Sequence, residues 1–307
     1  EMHAADAAII TKNGRSSARV HRGNTSTAPS CQLRPVNRGV QLLIDQLRNA
    51  LDRRAEALAP SDPAFIAGTF AVENLLYEGD HSRVLKLRHR DLGTAYVLKT
   101  LPKDGASSAS QAELLIREAR IGLDLHHPRL VGTSILLRLA DGSPGLIQPW
   151  AGYSLRERLE KEGETGLDLV QIMHDLLTAL AALHDHGLVH GDVSPGNIIL
   201  DQQRRIARLA DFGLTIECDA SWADLGLAEA GSPEYRAPEQ NASSKASAAM
   251  DLYGAGRVLL RMLGTVPLGQ NADLAQLADH LCSVDPVNRP KTAKEALTKL
   301  SQIEAKK

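Results

Sequence analysis

The spacing of apolar positions divides this chain into stretches of different period. Val40, Leu43, Ile44, Leu47, Leu51 and Leu58 recur at helical spacing with Asp45, Arg48, Asp52 and Arg53 between them. That pattern predicts an amphipathic helix and its linker within 39–64, closed by Pro60 and Pro63. From residue 65 the runs shorten and become β-like over Phe70–Tyr77, Arg83–Leu87 and Ala95–Thr100. A helical stretch follows at Ala109–Leu125, then two more strand-like runs at Leu130–Leu139 and Leu146–Pro149. Beyond Trp150 the chain reads as helices at Leu155–Lys161, Leu169–His186, Ala246–Leu263, Leu274–Cys282 and Thr292–Ile303. The fold class expected is α+β and bilobal. A small β-rich lobe (65–149) precedes a larger helical lobe (150–305), and the cleft between two such lobes is a frequent ligand site.

Composition narrows the picture. The chain has 307 residues, 43% of them hydrophobic and 23% charged, which is ordinary for a folded soluble domain. A net charge of −2 gives no support for a nucleic-acid partner. No run of 18 apolar residues exists, so no stable membrane insertion is expected. Cys31, Cys218 and Cys282 are far apart, which excludes a disulfide scaffold and fits a reducing, cytoplasmic setting. Residues 7–44 carry Lys12, Arg15, Arg19, Arg22, Arg34 and Arg38 but no acid. Residues 1–38 read as a disordered tail, because Ser, Thr, Asn and Gly without apolar period bury too little surface to order themselves. No apolar h-region follows those charges, so a secretory signal is not expected. Oligomeric state leaves no trace in the sequence.

The candidate chemistry lies in the second lobe, in His190-Gly191-Asp192-Val193-Ser194-Pro195-Gly196-Asn197. Asp192 suits a base that accepts a proton from an attacking hydroxyl. Asn197 offers a carbonyl oxygen to a hard cation such as Mg²⁺, and Asp211, in Asp211-Phe212-Gly213, supplies a second oxygen.

This loop resembles the H-R-D-x-x-x-x-N catalytic loop of the eukaryotic-type Ser/Thr protein kinase superfamily, and Asp211–Gly213 resembles its D-F-G. Gly231-Ser232-Pro233-Glu234-Tyr235-Arg236-Ala237-Pro238-Glu239 is similar to the segment ending in A-P-E, and Asp285-Pro286-Val287-Asn288-Arg289-Pro290 to the closing D-P-x-x-R-P. Asp251-Leu252-Tyr253-Gly254-Ala255-Gly256 resembles the D-x-W-S-x-G helix start. The motifs stand in family order over about 70–303.

The resemblance implies a protein kinase-like fold and an ATP- and Mg²⁺- (or Mn²⁺-) dependent transfer to Ser or Thr of a protein substrate. It implies that Lys99 holds the phosphates and that Glu118 pairs with Lys99. Gly79 is the one glycine left in the phosphate-covering loop. Val84 and Val97 would cover an adenine with Ile199 beneath it, and the Gln148 carbonyl and Trp150 amide would bond its edge. Asn197 and Asp211 would hold the metal, and Glu239 would pair with Arg289.

Several positions depart from the family pattern. Gly191 replaces the arginine of H-R-D, so phosphates on Thr215 or Ser221 would lack their usual partner. Ser194 replaces a lysine, Gly122 replaces a packing residue and implies a loosely held helix, and few residues separate Leu263 from Leu274. Two alternatives stay open: a pseudokinase scaffold, and an aminoglycoside or choline kinase-like phosphotransferase, whose loop also reads H-G-D. The segment from Asp211 to Glu239 favours a protein substrate. The Ser/Arg-rich head and trimmed second lobe resemble effector kinases that bacteria inject into host cells.

Overall fold

In the computed structural model, residues 69–102, 109–139, 142–160, 167–201, 206–227, 230–265 and 271–306 are described. The expectations for 1–38 and 39–64 lie outside them. All belong to one unit, Arg38–Lys307.

Five antiparallel strands make the first lobe: β1 (Phe70–Glu78), β2 (Arg83–His89), β3 (Ala95–Thr100), β4 (Ile135–Arg138) and β5 (Pro144–Pro149), in spatial order β1-β2-β3-β5-β4. One helix, α1 (Ala109–Asp124), lies between β3 and β4 in the chain. Side chains alternate between the two faces of a strand. One face of this sheet buries Leu85, Leu87, Leu98 and Ile147 in a cluster of their own. The opposite face carries Val84 against Lys99 and Val97 against Gln148 in the ladders. It is the cleft face.

The run Leu130–Leu139 is a strand only from Ile135. Upstream of it the backbone is used elsewhere: Val131 N–H bonds the Leu209 carbonyl and Thr133 N–H the Gly122 carbonyl, both at 2.8 Å. This corrects the expectation of a loose α1. A Cβ added to Gly122 would lie 2.2 Å from Thr133 Oγ1, so the missing side chain lets helix and chain meet closely.

The second lobe contains β6 (Tyr153–Ser154), α2 (Leu155–Glu160), α3 (Leu169–Asp185), β7 (Leu188–Val189), β8 (Ile198–Leu200), β9 (Ala207–Leu209) and β10 (Ile216–Glu217). α4 (Ala248–Leu263), α5 (Ala272–Leu281) and α6 (Ala293–Glu304) complete it. β6, β8 and β9 form one small sheet, and β7 and β10 another. Asp168 caps α3 by accepting the Gln171 amide at 3.0 Å. Met173, Leu177, Leu180 and Leu183 of α3 are wholly buried. Each such side chain contributes about 1.5–3 kcal/mol, so α3 is the axis of the core rather than a surface helix. Its buried acid, Asp175, is satisfied by Gln171 Nε2 and the Ala207 amide, both at 2.9 Å, and by Arg129 at 2.7 Å. That network ties α3 to the strand that leads into the site. Cys218 and Cys282 are free thiols, and no helix among the described residues is long and apolar enough to cross a membrane.

Candidate active site

Three elements converge on one lysine. Lys99 of β3 places its Nζ 2.9 Å from Glu118 Oε2 on α1 and 2.7 Å from Asp211 Oδ1. Burial alone would lower the pKa of this lysine. The carboxylates of Asp211 and Glu118 overcome that effect and hold it protonated. Burial pushes the Glu118 carboxyl up to about 7; Lys99 opposes the rise and Asp211 adds to it. Asp211 would also be raised by burial, but Lys99 and the Gly213 amide, 3.1 Å from its Oδ1, hold it below the usual carboxylate range. Asp211 sits at φ 67°, a left-handed conformation that an Asp adopts at some strain. Strain of this kind gathers at functional sites.

The loop between β7 and β8 carries the second group. Asp192 Oδ2 accepts Asn197 Nδ2 at 2.8 Å, and Asp192 Oδ1 accepts the Ser232 amide at 2.7 Å. Both donors of that Asn197 contact belong to its NH₂, which also reaches the Asp192 carbonyl at 2.9 Å. The Asn197 amide oxygen is thereby left for another ligand. Asn197 and Asp211 are the oxygen donors that could hold Mg²⁺ or Mn²⁺, ions that complete their shell with water and phosphate oxygens. Among the described residues no cluster of three His, Cys, Asp or Glu side chains could hold a metal.

The loop is suspended from below by residues whose roles sequence reasoning did not assign. Asp251, at the start of α4, accepts the His190 amide at 2.8 Å, the Gly191 amide at 2.9 Å and His184 Nε2 at 2.9 Å. Its motif was visible in the sequence, but its work was not. Gln240 donates to the Gly191 carbonyl at 2.7 Å, and no sequence signal marks it. His190 is buried edge-on to Phe212, ring centroids 6.0 Å apart, and its Nε2 meets the Ala210 carbonyl at 3.1 Å. It is a packing residue. Ser194 is buried and brings no charge to the site.

The first lobe places Val84, Val97 and Lys99 on the cleft face, and Ile199 is the half-buried middle residue of β8. Gly79 opens the turn from β1 to β2, its amide 3.1 Å from the Ser82 carbonyl. The exposed Tyr77 side chain folds over Gly79, its hydroxyl close to where a Cβ there would stand. The sequence assignment of the linking edge needs correction. The Trp150 amide donates to the Ala95 carbonyl at 3.1 Å and is not free for a base. Backbone groups alternate in direction along a strand. Trp150 and Gln148 therefore turn theirs toward β3, whereas Ile147 turns its carbonyl to Ser134 at 2.8 Å. Pro149 shares the direction of Ile147. Gln148 contributes its side chain instead: it is on the cleft face, 7% exposed, with Nε2 unpartnered. An orphaned buried amide costs free energy until something bonds it, which fits a polar ligand edge here.

A lysine paired with two carboxylates and an oriented aspartate stand between a β-lobe and a helical lobe, the architecture of a protein kinase domain. A family model described as the protein kinase domain matches residues 70–303, and the chain belongs to that family. It is 28% identical over 231 residues to the serine/threonine-protein kinase pkn3 of Myxococcus xanthus, covering 72% of this chain and 42% of that protein. It is 32% identical over 217 residues to the serine/threonine-protein kinase pkn2 of the same organism, covering 68% and 26%. A RAC family serine/threonine-protein kinase homolog of Dictyostelium discoideum is 27% identical over 209 residues, covering 68% and 47%. The chain thus spans less than half the length of these curated relatives.

Proposed function

We propose that this domain transfers the γ-phosphoryl group of ATP to Ser or Thr hydroxyls of protein substrates. The observation that carries the reading is one connected set: Lys99 between Glu118 and Asp211, and Asp192 between Asn197 and Ser232. Lys99 holds the phosphates, and Glu118 fixes its reach. Asn197 and Asp211 would hold Mg²⁺, which would supply neutralisation of charge on the phosphate oxygens. Asp192 orients the acceptor hydroxyl and takes its proton as the oxygen bonds to phosphorus and ADP leaves. The adenine lies between Val84 and Val97 above and Ile199 below. Its polar edge meets the Pro149 carbonyl and the Ala151 amide, and Gln148 Nε2 lies behind.

The substrate side supports a protein acceptor. The described residues between Asp211 and Glu239 are joined to Asp192 through the Ser232 amide. Incubation with Mg²⁺ and γ-labelled ATP, alone and with a basic protein, an acidic protein or an aminoglycoside, tests the reading. Protein labelling that vanishes in Asp192→Asn is expected. Drug labelling, or silence in every arm, would overturn it.

A further inference from the structure

Beside the catalytic loop is a second groove of about 490 Å³, lined by α2, Pro195, the Ser232–Tyr235 turn and α4. It begins at Ser232, whose amide holds Asp192, so a substrate chain presenting its hydroxyl to Asp192 runs across it. Its charged lining is Arg156, Arg261, Glu160 and Glu234. A third guanidinium, Arg257, adjoins it and donates its Nε to the Glu234 carbonyl at 3.0 Å.

These charges are not equivalent. The Arg156 guanidinium lies against the catalytic loop: a Cβ added at Gly196 would be 2.8 Å from its Nη2 and 3.0 Å from its Cζ. Gly196 immediately precedes Asn197. The α2 start is itself pinned there, the Arg156 amide bonding the Pro195 carbonyl at 3.0 Å. Among the described residues neither Arg156 nor Arg261 forms an ion pair, and Glu160 stands one turn along α2 from Arg156. Tyr235 reports the same field: burial and Glu234 raise its phenol, while Arg261, Arg156 and Arg257 all act to lower it. The lining itself holds two guanidinium groups and two carboxylates, with Arg257 adjoining, and the Arg156 guanidinium is the one that lies against the catalytic loop. Arginines without an ion-pair partner among the described residues are ready partners for carboxylate or phosphate, which they bind bidentately.

We infer that the domain selects acceptor segments carrying an anionic side chain close to the acceptor hydroxyl, with Arg156 and Arg261 as the residues that set this preference. The inference rests on the transfer activity proposed above and adds the substrate class.

The test is a set of Ser peptides in a neutral background, with Asp, phosphoserine, Ala or Arg placed in turn at each of the flanking positions. Acidic peptides are expected to exceed arginine peptides at least ten-fold in kcat/KM at one or more positions, chiefly through KM. The Asp and phosphoserine arms show which anion is the better partner. In an Arg156→Glu, Arg261→Glu double variant the acid-to-arginine ratio should fall at least ten-fold. A folding defect would scale both peptides alike and leave that ratio unmoved. Preference for arginine peptides in the wild type, or an unchanged ratio in the variant, would overturn the inference while leaving the transfer activity standing. No labelling of any peptide or protein would overturn the activity itself, and the preference with it.

Discussion

Trp222 occupies the space that a side chain at position 191 would need. A Cβ built on Gly191 would stand 2.8 Å from Trp222 Cζ2 and 2.9 Å from the Leu214 carbonyl, the same carbonyl that takes the indole N–H at 2.8 Å. Gly191 also has φ +79°, a conformation side chains resist. The activation segment is thus held by a wholly buried tryptophan. It is also held by backbone bonds across to residues 242–246, such as Ala223 N–H to the Ala242 carbonyl at 2.7 Å. Thr215 is fully buried, with its hydroxyl facing the His190 carbonyl, so it is no phosphate acceptor in this fold.

The first prediction is that activity does not depend on a phosphate in that segment. Phosphatase-treated wild type and Ser221→Ala should keep their initial rate. A loss of ten-fold or more, restored by Ser221→Asp, would show a phospho-switch. Gly191→Ala should cost about 1–3 kcal/mol through backbone strain, with further loss from overlap, seen as a lower Tm. An unchanged melting curve would contradict the packing argument.

Arg289 and Glu239 form a two-bond pair at 2.6 and 2.9 Å, with the guanidinium fully buried. Arg289 also donates to the carbonyls of Ser283, Ala249 and Val284 and lies 4.9 Å from the Tyr253 ring centroid. Glu239→Ala should strand a buried cation at a cost of about 3–5 kcal/mol, or roughly 6–20 °C in Tm for a domain of this size. Thermal melts of Glu239→Ala and Arg289→Ala that overlay wild type would rule the pair out as a structural anchor.

Asp192→Ala, Asp211→Ala and Lys99→Met should each lower kcat by about 10²–10⁴-fold while leaving the fold intact, as judged by circular dichroism. Wild-type turnover in either aspartate variant would refute the assignment of base and metal ligand.

Glu118 gives a pH prediction. Its folded pKa lies near 7, above its ordinary value, because burial penalises the charge. Its ionised form is the one that holds Lys99. As pH falls through about 7 the carboxylate takes up a proton and the grip on Lys99 weakens. kcat/KM for ATP, which reports the free enzyme, should therefore fall as pH drops below that value. In Glu118→Gln the activity is lower, and the acid limb near pH 7 should be absent. An identical limb in that variant would assign it to another group.

The order of elements was legible in the sequence because period decides it. Two-residue alternation gave β1, β2 and β3 nearly to the residue, and helical spacing gave α1, α3 and α6. The candidate set was legible because Asp192, Asn197 and Asp211 sit close together in sequence, in motifs of characteristic spacing. Three things needed the tertiary structure. The Trp150 amide and the Gln148 carbonyl turned out to face β3 because strand register, not composition, sets which backbone groups the ladder uses. The tightness of α1 at Gly122 depended on Thr133, which approaches from another element. Trp222 filled the space left by Gly191 from a position more than a full helix-length away in the chain. Local periodicity and short motifs are written along the chain. Register, close approach and the charge of a shared groove arise only when distant segments meet, and no single segment encodes them.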